Sequence, residues 1–236
     1  MLLYGKNSVA ERLKTNPQTI KRILLQDNFN NPYIEKLIKK NNIPLLRLPV
    51  AKLSKIKYGD NLQGIVAEVC AFNYTFFEDL LDKDKRLTPI FLDRIYDPQN
   101  LGAIIRTAAC FGGFTIIIPK HKACGVTETV LHIAQGGENY ISVSMVSNLS
   151  NSIIAAKKSG YWIMGAVTSA DAQKLSEVSM PFPLALVLGS EGEGVRYGVD
   201  KHLDIKAQIP MKGVRLSFNV TAACTIFCYE IDKQRK

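Results

Sequence analysis

Short apolar runs alternate with helix-forming segments over the last two thirds of the chain, and this alternation limits the possible folds more than any other feature. The pattern predicts four helices, at 101–111, 127–133, 149–159 and 220–231, and six strands, at 90–92, 114–118, 140–145, 161–166, 184–188 and 206–209. Such alternation is typical of an α/β protein with a largely parallel sheet covered by helices. Because ligands of such sheets bind beyond the carboxyl ends of the strands, the loops that follow strands are the first candidates for a functional site.

A second, smaller α/β pattern precedes this one. It combines two helical and three extended segments, at 8–13, 22–25, 32–40, 44–48 and 64–69. Residues 73–87, which include four acidic and three basic residues, follow as a connecting segment. The sequence therefore predicts a small domain at 1–72, a linker at 73–87 and a larger domain at 88–236.

The net charge of +9 is unevenly distributed along the chain. Residues 1–72 hold 12 Lys or Arg and 5 Asp or Glu, so most of the positive excess lies in the small domain. Lysine and arginine near phosphates release counterions and steer association, so this module suits a polyanionic partner. The alternative is an ordinary basic surface in contact with solvent.

The apolar runs and the cysteines argue against several other classes of protein. The longest apolar runs, at 114–119 and 184–188, are far shorter than the ~20 residues of a membrane-spanning helix. The first six residues lack the pattern of a signal or transit peptide, so a cytoplasmic protein is expected. Five cysteines without a C-x-x-C pair argue against a disulfide framework and a zinc ribbon, and no metal is expected.

The first of three informative loops spans residues 97–109, between a predicted strand and the following helix. Asn100 suits the N-cap position of that helix, a common role for asparagine. Arg106 is the single charge in a stretch of small and apolar residues. It is therefore a candidate functional residue, and the alternative is an arginine that extends to solvent.

The second loop, residues 188–195, reads Leu-Gly-Ser-Glu-Gly-Glu-Gly-Val. It matches neither the phosphate-binding loop nor the dinucleotide-binding pattern, and its two carboxylates would repel phosphates. A glycine-rich turn with acidic residues suits a positively charged ligand that approaches the backbone closely. S-adenosylmethionine, an adenosine that carries a sulfonium, has these properties.

The third loop, residues 209–223, again lies between a predicted strand and a helix. Ser217 and Asn219 are polar residues at the start of that helix. Taken alone, each is explained as a helix cap.

Together the three loops resemble the motifs of the SpoU (TrmH) family of RNA ribose 2′-O-methyltransferases, within the SPOUT superfamily. The resemblance covers about 89–232. Tyr4-Gly5, Val9-Ala10 and residues 63–67 are more weakly similar to the RNA-binding domain of the subgroup that modifies large-subunit (23S-type) rRNA. Two departures stand out: Phe218 replaces the usual leucine, and residues 134–139 differ from the family's small-residue stretch.

This resemblance implies an RNA methyltransferase that uses S-adenosylmethionine and methylates the ribose of a guanosine in structured RNA, most of all large-subunit rRNA. It also implies a homodimer and a SPOUT-type parallel sheet with a deep trefoil knot near the C-terminus. The implied catalytic residues are Asn100, Arg106, Glu191, Ser217 and Asn219, and the implied cofactor-binding residues are Leu188, Gly189, Ile209, Met211 and Phe218. Arg106 would act either as a general base or as a cation that stabilises the developing alkoxide.

Several alternatives stay open at this point. The substrate could be a transfer RNA guanosine, the methyl group could go to a base, or the cleft could take another nucleotide ligand. The basic first domain would also allow a protein that only binds RNA. The closing helix, with Val220, Ile226, Phe227 and Ile231, is either a dimer face or packs within its own domain.

Overall fold

The first domain contains a four-stranded sheet with its helices packed beside it. The computed structural model describes residues 1–57, 61–81, 87–213 and 216–235. The strands are arranged in the order β1-β4-β2-β3, in which β2 and β3 are parallel and the other pairs antiparallel. Their bounds are β1 Leu2–Tyr4, β2 Ile20–Gln26, β3 Leu45–Leu48 and β4 Ile65–Val69, and the helices are α1 Lys6–Thr15, α2 Pro32–Lys40 and α3 Val50–Leu53.

The second sheet has seven strands in the order β7-β6-β5-β10-β8-β11-β9, and all its pairings are parallel. Its strands are β5 Thr88–Asp93, β6 Phe114–Pro119, β7 Val143–Val146, β8 Trp162–Ala166, β9 Gln173–Lys174, β10 Leu184–Gly189 and β11 Ile205–Gln208. This confirms the predicted α/β class with a parallel sheet. The strand predicted to start at residue 140 begins three residues later, because residues 137–139 form a short 3-10 turn.

Helices cover both faces of this sheet, and neighbouring residues of one strand face opposite layers. The helices are α4 Pro98–Phe111, α5 Glu128–Ala134, α6 Leu149–Lys158, α7 Tyr197–Asp200 and α8 Val220–Gln234. Ile90 and Leu92 pack with α4, α5 and α8, whereas Phe91 packs with α6 and α7. Both faces of the strands are therefore buried, as expected for a parallel sheet.

The apolar side of α8 packs inside its own domain. Val220, Phe227 and Ile231 are buried in the core with α4 and the sheet. Of the residues considered as a dimer face, only Ile226 is partly exposed. The alternative that these residues pack within their own domain is therefore correct. They supply no argument for a dimer.

The two domains are in direct contact. The ring of His132 stacks on Tyr4 with centroids 4.3 Å apart, and Arg12 Nη2 lies 3.0 Å from Glu138 Oε1 in a buried ion pair. Residues 73–81 also pack onto the larger domain, where Phe77 is buried. In the part of the chain that the structure describes, no helix is long and apolar enough to cross a membrane.

Candidate active site

The candidate site lies at the carboxyl ends of two adjacent strands, β5 and β10. Gly189, which ends β10, is in register with Asp93, which ends β5. The first and second informative loops therefore begin side by side. The third loop ends at the start of α8, which packs on α4. The parallel topology thus brings together three segments that are far apart in sequence.

Asn100, Glu191 and Asn219 form one hydrogen-bonded cluster at this edge. Asn100 Nδ2 donates to Glu191 Oε1 at 3.0 Å, and Asn219 Nδ2 donates to the same oxygen at 2.6 Å. Asn219 Nδ2 also lies 3.3 Å from Asn100 Oδ1. Each of the three loops contributes one member of the cluster.

The prediction that the residue caps the following helix is confirmed for Asn219 and is wrong for Asn100. Asp97 is the N-cap of α4: its carboxylate accepts from the N–H of Gln99 at 2.8 Å, and Pro98 occupies the first helical position. The side chain of Asn100 is thereby left for Glu191. Asn219 caps α8 through Oδ1, which accepts from the N–H of Thr221 at 2.8 Å, while its Nδ2 joins the cluster.

A pocket opens beside the cluster, between the ends of β10 and β11 and the start of α8. Its lining includes seven of the predicted site residues: Leu188, Gly189, Glu191, Ile209, Met211, Ser217 and Phe218. Most of the other lining residues are small or apolar, among them Ala166 and Ala207. Glu191 adds a carboxylate. These features suit an adenosine that carries a positive charge better than a phosphorylated ligand.

Gly189 is the tightest point of this pocket. A Cβ at this position would lie 2.1 Å from the carbonyl carbon of Gly194 and 2.3 Å from the nitrogen of Val195. The loop closes here because the N–H of Gly194 donates to the carbonyl of Ser190 at 2.9 Å. The absence of a side chain at residue 189 therefore lets the acidic loop close over the end of β10, and the residues present fit S-adenosylmethionine.

Asp93 supports the site, although the sequence reasoning missed it. Its fully buried carboxylate lies 3.1 Å from Nε of Arg196 and accepts from the N–H of that residue at 3.0 Å. Arg94 Nε is 3.8 Å from the same carboxylate, and its guanidinium pairs with Glu193. These ion pairs tie the loop after β10 to β5. The sequence does contain a signal for this role, because Asp93 is an acidic residue at the end of an apolar strand. A carboxylate buried at such a position requires a charged partner.

Arg106 lies on a different surface from the cluster in the same chain. It follows Asn100 by six residues on α4, which separates the two side chains by about 120° around the helix axis. The exposed Arg106 lines a second cleft, between α4 and helix α1 of the first domain. Gly136 and Gly137 line the same cleft. The departure from the family's small-residue stretch is therefore at the junction of the domains and not in the pocket.

The described residues contain no group of three or more His, Cys, Asp or Glu that could hold a metal ion. Asn100, Glu191 and Asn219 supply amides and one carboxylate, and Arg106 supplies a cation at a neighbouring surface.

Two curated relatives match the chain over nearly its whole length. An uncharacterized tRNA/rRNA methyltransferase of Synechocystis sp. is 36% identical over 99% of this chain, which spans 62% of that relative's length. A 23S rRNA (guanosine-2′-O-)-methyltransferase of Coxiella burnetii is 36% identical over 99% of this chain and 96% of its own length. Among solved structures, the SpoU methyltransferase AviRb of Streptomyces viridochromogenes, in complex with AdoMet, shares the fold: the TM-score is 0.82 at 18% identity, over 99% of this chain and 89% of that one.

Two family models match in order along the chain. The model described as RNA 2′-O ribose methyltransferase substrate binding matches residues 2–75, and the model of the SpoU rRNA methylase family matches residues 88–229. The second match contains all three loops that form the cluster and the pocket. The chain therefore belongs to the SpoU rRNA methylase family, the S-adenosylmethionine-dependent RNA 2′-O-methyltransferases.

Proposed function

We propose that this protein transfers a methyl group from S-adenosylmethionine to the ribose 2′-hydroxyl of a guanosine in large-subunit rRNA. The observation that carries the proposal is the cluster of Asn100, Glu191 and Asn219 beside a pocket for a cationic adenosine. The name of the Coxiella relative supports rRNA as the substrate, and a ribosomal substrate implies a cytoplasmic location. Transfer RNA is the second candidate, because the Synechocystis relative is named a tRNA/rRNA methyltransferase.

The proposal assigns separate tasks along the chain. Residues 1–72 would bind RNA, residues 73–87 connect, and residues 88–236 carry the reaction. We also infer the trefoil knot of this family, in which the C-terminal segment passes through a loop of the same domain. The inference is supported by the pocket, to which Gly189 and Glu191 of the second loop and Ile209 and Phe218 of the third loop all contribute before α8 packs on α4.

Methyl transfer requires mainly that the reacting groups are held in line and that the hydroxyl loses its proton. S-adenosylmethionine supplies an activated methyl group on a positively charged sulfur. The backbone near Gly189, Ile209 and Phe218 would hold it, and the carboxylate of Glu191 would favour its charge. Asn100 and Asn219 hold Glu191 through its Oε1.

Arg106 would act on the RNA. An arginine side chain stays protonated in proteins, so its role is to stabilise the alkoxide that develops on the 2′-oxygen. The proton then passes to water or to a phosphate oxygen of the RNA. Ser217, which is exposed at the edge of the pocket, would help to orient the ribose.

Replacing Arg106 by alanine is expected to lower the single-turnover rate of methyl transfer by at least about 30-fold, which corresponds to ~2 kcal/mol of lost transition-state stabilisation. Binding of S-adenosylhomocysteine, measured by calorimetry, should hardly change. The rate is measured with labelled S-adenosylmethionine and transcripts of large-subunit rRNA and transfer RNA. The methyl group is then located by resistance to alkaline cleavage and by mass spectrometry.

Lys158→Ala is the control for this prediction, because Lys158 is an exposed cation on α6, which packs on the other face of the sheet. An Arg106→Ala variant that reacts as fast as Lys158→Ala would contradict the assignment. A methyl group found on a base would contradict 2′-O transfer, and exclusive methylation of transfer RNA would favour the second candidate.

A homodimer would bring Arg106 close to a pocket for S-adenosylmethionine. In a single chain Arg106 and the pocket are on separate surfaces. Next to α4, Thr225 and Tyr229 of α8 are exposed, and Thr107 Oγ1 lies 3.4 Å from Thr225 Oγ1 between the two helices. We infer that two copies associate through these faces, so that Arg106 of one protomer serves the pocket of the other.

Mixed dimers should test this arrangement. Light scattering is expected to give a mass about twice the 26.2 kDa of one chain. Arg106→Ala and Gly189→Ala protomers should each be strongly impaired alone, yet their mixed dimer should regain one working site. That site would combine the intact pocket of the first protomer with the intact arginine of the second. A monomeric mass, or a mixture without activity, would rule out sharing of the site between protomers.

A further inference from the structure

We propose that the cleft between the two domains binds an unpaired segment of the RNA substrate, stacked on Tyr33 and Tyr140 and held by Lys14 beside Arg106. This inference rests on the proposed function and extends it by naming the residues that bind the RNA. The cleft is separate from the pocket at β10 and has its own walls.

Both domains build the cleft. Residues of α1 and the start of α2 form one wall, and residues of α4 with the turn after α5 form the other. Arg106 projects from α4 into this space, which places the proposed catalytic cation where a bound ribose would have to lie. An RNA held here would therefore be presented to Arg106 by the first domain.

Two exposed tyrosines line the cleft, one from each domain. Tyr33 is 51% exposed and Tyr140 is 59% exposed, so neither ring is buried in the core, and Lys14 Nζ lies over the ring of Tyr33, 5.5 Å from its centroid. Proteins read single-stranded RNA mainly by stacking its unpaired bases on aromatic rings, and exposed tyrosines in a cleft are suited to this task. An RNA loop can splay out such bases, whereas the bases of a regular helix are not accessible in this way.

The charges of the cleft favour a polyanion. Lys6, Lys14 and Arg106 face it together with a single carboxylate, that of Glu11. This carboxylate is already engaged: Lys14 Nζ lies 2.6 Å from one oxygen, and the hydroxyl of Tyr140 donates to the other at 2.6 Å. Partial burial raises the pKa of Glu11, but the hydrogen bonds from Lys14 and Tyr140 outweigh this effect and lower the pKa below its usual value.

Glu11 therefore holds a cation of the first domain and a ring of the second domain in fixed positions. The backbone reinforces this arrangement, because a Cβ on Gly136 would lie 2.4 Å from Cβ of Glu11. On the other side, a Cβ on Gly137 would lie 3.1 Å from Cα of Arg106. The two glycines thus allow α1 and α4 to approach the same turn, which sets the width of the cleft.

The test measures RNA binding by the full chain without cofactor, using transcripts of large-subunit rRNA. Tyr33→Ala and Tyr140→Ala should each raise the dissociation constant about tenfold, which is typical for the loss of one base–aromatic stack. Tyr33→Phe should bind within about twofold of the wild type, because the stacking ring remains. Tyr140→Phe keeps its ring but loses the hydrogen bond to Glu11, so it should lose clearly less affinity than Tyr140→Ala. Lys14→Ala should weaken binding and reduce its dependence on salt, as expected for the loss of one phosphate contact.

Tyr197→Ala and Lys158→Ala are the matched controls. Tyr197 is 82% exposed on α7, and both α7 and α6 pack on the sheet face opposite α4. If the alanine variants at 33 and 140 bind RNA like these controls, the cleft does not hold the substrate. If Tyr140→Phe loses as much as Tyr140→Ala, the ring is not a stacking surface, and the proposal is also overturned.

These outcomes are separate from the proposed function, because RNA binding is measured without methyl transfer. If the wild-type protein methylates RNA and the cleft variants bind RNA normally, the proposed function is supported and RNA binding in the cleft is contradicted. If the protein does not methylate RNA but its RNA binding depends on the two tyrosines, the cleft proposal is supported and the proposed function is contradicted.

Discussion

Replacing Gly189 by alanine is expected to weaken the binding of S-adenosylmethionine severely. The added methyl group would lie 2.1–2.4 Å from three backbone atoms of Gly194 and Val195. Backbone atoms cannot rotate away as a flexible side chain can, so the acidic loop must move off the end of β10. The wall that carries Glu191 would move with it. We expect the affinity for S-adenosylhomocysteine to fall by at least about 100-fold, because a well-packed site tolerates such overlaps poorly.

Calorimetric titration of S-adenosylhomocysteine measures this effect, and circular dichroism shows whether the variant is folded. Gly213→Ala is the control, because a Cβ at residue 213 meets no atom within 4 Å although the residue lies in the third loop. This control should bind with nearly wild-type affinity. Tight binding by a folded Gly189→Ala protein would show that the loop after β10 does not form the cofactor site.

The second large effect is expected at the buried ion pair between the domains. Arg12→Ala removes the cationic partner of Glu138, whose side chain is fully buried, and leaves the amide of Asn139, 3.2 Å from Glu138 Oε1, as a neutral donor. Breaking a buried pair from one side typically costs about 3–5 kcal/mol, because the remaining charge is left without compensation. Urea denaturation at about pH 7 should show a loss of unfolding free energy of this size. Arg22→Ala, which breaks the exposed pair with Glu68 at 2.6 Å, should have little effect.

The loss caused by Arg12→Ala should depend on pH. Burial raises the pKa of Glu138, and the hydrogen bond from Arg12 offsets part of this rise. Without Arg12 the pKa in the folded state therefore rises further above the ordinary value of 4.5. Below that value the carboxyl is protonated in both the folded and the unfolded state, so its burial carries no charge penalty. As the pH rises through the ordinary value, the unfolded chain ionises first and the folded state loses relative stability.

The destabilisation should thus be smallest in acid and largest at neutral pH, relative to the wild type at the same pH. A second substitution, Glu138→Gln, in the Arg12→Ala background should recover part of the loss at neutral pH, because no buried charge remains. A constant destabilisation across this range would mean that Arg12 contributes packing and not charge compensation.

Strand and helix alternation was sufficient to predict the class of the fold. In a parallel sheet all carboxyl ends lie at one edge, and β5 and β10 are neighbours in this sheet, so the loops that follow them lie close together. The assignment of Asn100, Glu191 and Asn219 to one site came from the family resemblance, and the parallel topology is the physical reason why residues so distant in sequence lie together. The motifs of the three loops also carried the family resemblance, which the match over residues 88–229 confirms.

Other features depended on how the elements dock. Sequence spacing did not show that Arg106 would lie in a cleft with the first domain while Asn100 lies beside the pocket. The dimer argument from α8 failed because apolar periodicity marks a buried face without stating what covers it. The periodicity also did not show the short 3-10 turn at 137–139, after which the predicted strand begins later in the sequence than expected.

The amino-acid sequence by itself determined the α/β class with a parallel sheet, the longer helices and strands, and the three loops of the site, because these follow from local periodicity and from short motifs. Only the tertiary structure decided the contacts between the domains. Arg12 with Glu138 and Glu11 with Tyr140 join residues more than 120 positions apart. Such pairs leave no periodic signal in the chain, since they exist only once α1 has packed against the turn after α5.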